Sequence, residues 1–66
     1  MCEANVYMRD ETGHDRLFME HVDIIIPGPD GLYMENIFGE RKKVDAVIQE
    51  MQLVSHRIIL SRPGSA

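Results

Sequence analysis

Residues 22–34 read VDIIIPGPDGLYM, and this stretch decides the fold. The segment 22–26 is rich in β-branched side chains, which is typical of a strand, and the turn residues 27–31 follow it directly. Because each proline lacks the backbone N–H that a strand ladder needs, we expect the strand to end at the first proline. Alternation of side chains resumes after the turn. The stretch therefore predicts two strands separated by a tight turn.

A hairpin is predicted upstream of this stretch, over residues 3–20. Ala4 and Val6 begin an alternating pattern with the period of a half-buried strand. Residues 10–15 supply turn chemistry, with Gly13 able to adopt a positive φ angle. The alternation then resumes, as expected for the returning strand.

Residues 40–52 fit two templates. The amphipathic helix template is matched by four apolar residues at i, i+3, i+4 and i+7, namely Val44, Val47, Ile48 and Met51. The strand template is matched by three alternating residues, Val44, Ala46 and Ile48. The local pattern alone favours a helix over 40–51.

The last predicted strand covers residues 53–60, where a bulge at 55–57 can interrupt it, and a flexible tail follows at 62–66. We therefore expect one small domain over residues 1–61. Short strands with turns about every 8 to 12 residues indicate an all-β fold, a small antiparallel barrel of five to six strands. The alternative is an α+β fold with a helix at 40–51.

Composition and charge exclude several functional classes. The chain has 66 residues and a formal net charge of −4, and its basic residues cluster only at 41–43. A phosphate-binding surface is hard to assemble from these residues, so nucleic acid is not an expected partner. No apolar run approaches the ~20 residues that a membrane helix needs, and no signal-peptide pattern is present. We therefore expect a cytoplasmic protein, in a compartment that keeps thiols reduced.

Small size makes the stability of such a domain marginal. Ordering the chain costs about 1.5 kcal/mol per residue, and burial in a domain of this size offsets that cost with almost nothing to spare. An internal disulfide is excluded because Cys2 is the only cysteine. A partner chain or a metal is therefore expected. No nucleophile–base arrangement or enclosed pocket is indicated, so we do not expect an enzyme.

Cys2 is the residue with the most specific chemistry. If the initiator Met1 is removed, the amino group and the thiol of Cys2 can bind one metal ion in a five-membered chelate ring. The amine has a pKa of about 7.7 and deprotonates readily, while metal binding lowers the pKa of the thiol. A strongly polarising ion could also deprotonate the main-chain amide of Glu3. Such nitrogen and sulfur donors suit square-planar Ni(II) or Cu(II).

Other potential ligands are better explained as structural residues. His14, His21 and His56 lack a metal-binding spacing, so we interpret them as surface side chains, although His21 lies between acidic residues. Met8, Met19 and Met34 occupy alternating strand positions and are predicted to fill the core. A single chain thus offers too few donors for a closed site. Two copies around a twofold axis would supply two thiolates and up to four nitrogens.

Four blocks of the sequence resemble the CooT family of small nickel-binding proteins. In chain order they are residues 1–7, MCEANVY; 19–24, MEHVDI; 36–40, NIFGE; and 53–60, LVSHRIIL. The resemblance covers nearly the whole chain apart from residues 62–66. It implies a cytoplasmic homodimer with a small Sm-like or SH3-like β-barrel that binds Ni(II) through the cysteine matching Cys2.

The resemblance also implies a role in nickel handling for the maturation of carbon monoxide dehydrogenase, with the apo-enzyme as a partner. It favours a strand instead of a helix after residue 40.

The alternative function is a metal-independent module that binds RNA or a protein through a barrel edge, with Lys42 and Lys43 as the residues to test. The net charge argues against RNA.

Overall fold

Six β-strands make up the fold of residues 2–64, the part of the chain that this computed structural model describes. In chain order they are β1 (Ala4–Arg9), β2 (Asp15–Gly28), β3 (Gly31–Asn36), β4 (Arg41–Val44), β5 (Val47–Gln52) and β6 (Arg57–Ser61). No helix occurs within these residues, and so none that could span a membrane. The predicted all-β class is confirmed.

The six strands form one sheet in the order β4-β3-β2-β1-β6-β5. Neighbouring strands are antiparallel except β1 and β6, which are parallel. The predicted antiparallel barrel is therefore wrong in two respects: the sheet is not closed, and β1 and β6 are parallel. The edge strands β4 and β5 are not paired with each other within the described residues, and the link 45–46 joins them along the chain. That two-residue link keeps the two edges close at one end, since a chain spans at most about 3.6 Å per residue.

The two predicted hairpins are present, but they share one strand, because the returning strand that was predicted to end at residue 20 and the strand predicted over 22–26 form the continuous β2. Strand β1 pairs with the first half of β2, and the second half of β2 pairs with β3. Asp10 closes the first turn, where its Oδ1 accepts hydrogen bonds from the backbone N–H groups of Thr12 and His14 at 2.9 and 3.0 Å. Strand β2 extends through Pro27 to Gly28, beyond its predicted end. Past residue 22 it has no β1 neighbour, so the missing N–H of Pro27 can face away from the ladder.

The helix proposed as an alternative over 40–51 is wrong and the β interpretation is right, but the segment forms two strands, β4 and β5, and Ala46 of the strand template lies in the link between them. Ala46, off the apolar stripe of the helix template, is buried, with 3% of its surface exposed. Val47, on that stripe, is 47% exposed. The apolar residues with helical spacing therefore do not form one buried face.

The strand predicted over 53–60 begins only at Arg57. Residues 53–56 form a turn, in which His56 adopts a positive φ of 55° and its N–H donates to the carbonyl of Leu53 at 3.4 Å. Of the predicted tail, residues 62–64 follow the last strand, while 65–66 lie outside the described residues.

The core is formed by side chains from strands β1, β2, β3 and β6 and from the link 45–46. Met19 and Met34 are buried in it as predicted, and Met8 packs against it. Its other buried members come from five strands or links, namely Val6, Val22, Leu32, Ala46 and Leu60. This core fixes the start of β1, and with it the position of the N-terminal segment.

Candidate metal centre

Cys2 lies two residues before β1, and its thiol is exposed to solvent. The sequence-based hypothesis requires a thiol that is not packed inside the hydrophobic interior. A cysteine packed as a small hydrophobe in the core would be inert, so exposure leaves the ligand interpretation open.

The thiol borders an open groove of about 500 Å³. Much of the groove wall is apolar and comes from β2, β5, β6 and the turn after β5, including Ile25, Ile48, Met51, Leu53 and Ile58. Met51 is 57% exposed and Leu53 75% exposed. Large apolar side chains thus face solvent beside the one thiol of the chain.

Glu3, the second predicted metal residue, has its side chain directed to His21. The Glu3 Oε1 and His21 Nδ1 atoms are 3.2 Å apart, and both side chains are partly exposed. The metal donor predicted at Glu3 is the main-chain amide, so this contact leaves the donor atom uninvolved. The side chain instead attaches the N-terminal segment to β2.

Sequence reasoning missed the contact between Glu3 and His21. Ala4 pairs with Val22 and Val6 pairs with Met19, so a β-bulge in β2 places two residues, Glu20 and His21, opposite one residue of β1. A regular ladder, without the extra residue in β2, would not place the side chain of His21 beside that of Glu3 in this way. The acidic neighbours of His21 were visible in the sequence, but the bulge was not.

The side chains of one chain do not form a closed metal site. No three His, Cys, Asp or Glu side chains within residues 2–64 come together in a way that could hold a metal ion. His14 lies in the first hairpin turn, where its Nδ1 is 2.7 Å from the hydroxyl of Thr12. A site at Cys2 therefore depends on main-chain nitrogen atoms, on a second copy of the chain, or on both.

A separate cluster of charges ties four strands together. Arg9 of β1 donates two hydrogen bonds to Asp15 of β2, at 2.8 and 3.1 Å, and its guanidinium lies 3.5 Å from Glu50 of β5. Arg57 of β6 lies 3.6 Å from Asp15 and stacks over the ring of Tyr7 at 4.4 Å. The hydrogen bonds from Arg9 hold the pKa of Asp15 below its usual value. Opposite charges are matched here, so we assign this cluster to stability.

The basic residues of β4 are also engaged within the chain. Lys42 donates a hydrogen bond to the carbonyl of Phe18 at 3.0 Å and lies 4.8 Å from the centre of its ring. Arg41 lies 3.6 Å from the carboxylate of Glu35. Two of the three basic residues on this edge therefore have partners inside the chain.

Comparison with known proteins identifies relatives over nearly the whole chain. Residues 1–61 match the family described as CO dehydrogenase accessory protein CooT. A crystal structure assigned to CooT from Carboxydothermus hydrogenoformans is 46% identical in sequence and superposes with a TM-score of 0.86. The alignment covers 92% of this chain and 97% of that one. No protein with curated annotation matches.

Proposed function

The chain belongs to the CooT family of carbon monoxide dehydrogenase accessory proteins, and we propose that it binds Ni(II) as a homodimer that carries or stores nickel for maturation of the dehydrogenase. An accessory role agrees with the expectation that the chain is not itself an enzyme. In this proposal nickel is the cargo, the apo-dehydrogenase is the receiving partner, and the cytoplasm is the compartment.

The observation that carries this proposal is the exposed thiol of Cys2 at the start of the chain. After removal of Met1, its sulfur and the new terminal amine would form a five-membered chelate, and the amide of Glu3 could add a third in-plane donor. The thiolate and the neutral amine are the binding forms, so nickel binding should release protons. Donors of this kind favour a square-planar ion over tetrahedral zinc.

A second copy of the chain would complete the site. One chain brings no cluster of three ligating side chains within residues 2–64, whereas two chains bring two thiolates and their amines to one point. The exposed apolar residues beside Cys2 support an association on this side of the molecule. Association would also relieve the marginal stability of a 66-residue domain.

A nickel titration of untagged protein tests the proposal. We expect thiolate-to-nickel charge-transfer absorption that saturates at one metal per two chains and disappears in Cys2→Ser. His14→Asn, which removes an imidazole in a distant turn, should leave the titration unchanged. Nickel affinity that survives in Cys2→Ser would contradict the assignment.

The state of the N-terminus gives an independent test. Intact mass should show that Met1 is absent. An N-terminal tag should abolish tight binding, because a tag, like a retained Met1, converts the amine of Cys2 into an amide. Tight nickel binding by a protein that retains Met1 would exclude the chelate.

Binding of RNA or protein at a sheet edge receives less support. The internal contacts of Arg41 and Lys42 leave Lys43 as the basic residue of β4 with no ion pair or side-chain hydrogen bond among residues 2–64. Such a function predicts salt-dependent RNA binding that Cys2→Ser does not change and that neutralising Lys42 and Lys43 weakens.

A further inference from the structure

His21 adopts a backbone conformation that is uncommon for a residue with a side chain. Its φ is 54°, in the left-handed region, and it lies in the bulge of β2 opposite the beginning of β1. A non-glycine residue in this region carries a conformational cost and persists where surrounding contacts over-determine it. The contacts of His21 therefore indicate which parts of the structure hold this residue in the left-handed conformation.

One of these contacts reaches β1, and a second reaches the residue that precedes it. The backbone N–H of His21 donates to Oδ1 of Asn5 at 3.1 Å, and the ring Nδ1 lies 3.2 Å from Oε1 of Glu3. Glu3 precedes the first residue of β1, so it lies outside the strand ladder. The ring contact is thus a side-chain attachment between the sheet and the residue next to Cys2.

Two further contacts fix His21 itself against the turn after β3. Its carbonyl accepts a hydrogen bond from the N–H of Ile37 at 3.0 Å. Its ring meets the ring of Phe38 edge-on, with centroids 5.7 Å apart. That turn is closed by Asn36, whose Oδ1 accepts from the N–H groups of Phe38 and Glu40. His21 therefore joins this hydrogen-bonded turn to Glu3, the residue that precedes β1.

We propose that His21 is a positioning residue for the N-terminal nickel site, acting through its ring contact with the side chain of Glu3. This inference rests on the proposed function. By restraining Glu3, the imidazole limits the freedom of the neighbouring amide and of Cys2, so less order has to be imposed when the metal binds. Contacts of this supporting kind commonly change metal affinity about 10- to 100-fold.

A positioning role fits the geometry better than direct coordination. His21, Glu3 and Cys2 do not converge as a three-ligand cluster within the described residues. The nitrogen of His21 nearest the segment faces a carboxylate oxygen, which is the arrangement of a supporting group and not of a ligand pointing at a metal.

The test compares nickel affinity, the charge-transfer spectrum and thermal stability in His21→Asn and wild-type protein. Asparagine tolerates the left-handed conformation and keeps both backbone hydrogen bonds, but it removes the ring. We expect nickel to bind about 10-fold more weakly, with the same spectrum and stoichiometry and little change in melting temperature. His14→Asn is the matched control and should bind nickel as tightly as wild type.

A double-mutant cycle with Glu3→Ala shows whether the effect passes through the contact. Glu3→Ala keeps the main-chain amide and removes the carboxylate, so the double variant should bind nickel no more weakly than either single variant. Unchanged affinity in His21→Asn, additive losses in the cycle, or loss of an imidazole ligand in the X-ray absorption spectrum would overturn the inference. If Cys2→Ser abolishes binding and His21→Asn does nothing, this inference alone fails. If Cys2→Ser binds normally, the proposed function itself fails.

Discussion

At the scale of single residues, Gly31 is the position where the backbone allows least change. It begins β3 with a φ of 129°, and a Cβ built on it would overlap the carbonyl oxygen of Val44 and lie 3.0 Å from the Cα of Asp45. The sequence predicted Gly31 as part of a turn. The close approach of β4 could not be predicted, because it depends on a pairing partner more than ten residues away.

We expect Gly31→Ala to lower the free energy of unfolding by about 2 kcal/mol or more, since both the φ angle and the contact with backbone become unfavourable. Gly13→Ala is the matched control. Gly13 also has a positive φ, of 86°, but an added Cβ meets nothing within 4 Å, so that variant should lose only about 1 kcal/mol. Equal losses in urea unfolding would show that Gly31 is not packed against β4.

Asp15 should give the protein a component of stability that depends on pH. Hydrogen bonds from Arg9 lower its pKa in the folded state, so the folded form holds the proton less tightly than the unfolded chain. The contribution is therefore fully present above the unfolded pKa of about 3.9 and is lost as the pH falls through the lower folded value. Melting temperatures of wild type and Asp15→Asn should differ near neutral pH and converge in acid.

Asp30→Asn is the control for this titration. Asp30 lies in the exposed turn 29–30 between β2 and β3 and has no ion pair among residues 2–64. Its substitution should leave the pH profile of the melting temperature as in wild type. A difference between wild type and Asp15→Asn that persists unchanged below the folded pKa would contradict the linkage.

At the scale of elements, strands were predictable where turn residues and alternation agree. The hairpin turns at residues 10–14 and 28–31 combine Gly, Asp or Pro with apolar alternation on both sides. The local pattern of segment 40–52 wrongly favoured a helix. Strand β5 is a largely exposed edge strand, so the spacing of its apolar residues does not indicate a buried face. The start of β6 was missed because the apolar residues of 53–54 belong to an exposed turn.

The link between β4 and β5 distinguishes the strand from the helix template directly. Ala46 is buried and Val47 is largely exposed, whereas the helix template buries Val47 and leaves Ala46 off its apolar stripe. We expect Ala46→Glu to cost about 2 kcal/mol or more, because it places a charge in the core, and Val47→Glu to change stability by less than about 1 kcal/mol. The reverse order in denaturant unfolding would favour the helix.

At the scale of the whole molecule, the exposed apolar residues near Cys2 set the expected mode of association. Leu53→Glu places a charge in the groove beside the thiol and should weaken the proposed dimer at least about 10-fold, as measured by analytical ultracentrifugation. Leu17→Glu is the matched control, because Leu17 is 53% exposed on β2 and does not line the groove. Equal weakening by both variants, or by neither, would place the dimer interface elsewhere.

The candidate site was predictable only in part. The metal chemistry proposed for Cys2 and the amide of Glu3 was inferred from their residue types and from their position after the initiator methionine. The proposed role of His21 could not be predicted from the sequence, since a bulge in β2 and a turn more than ten residues away determine the position of this residue. Residue type thus indicates which atoms can bind a metal, while the three-dimensional fold determines what supports them.

Native mass spectrometry of untagged protein loaded with Ni(II), combined with metal analysis, tests the central claim most directly. We predict a complex of two chains, each lacking Met1, that holds one nickel ion and loses it in Cys2→Ser. One nickel bound to a single chain, or an unchanged complex in Cys2→Ser, would contradict the account.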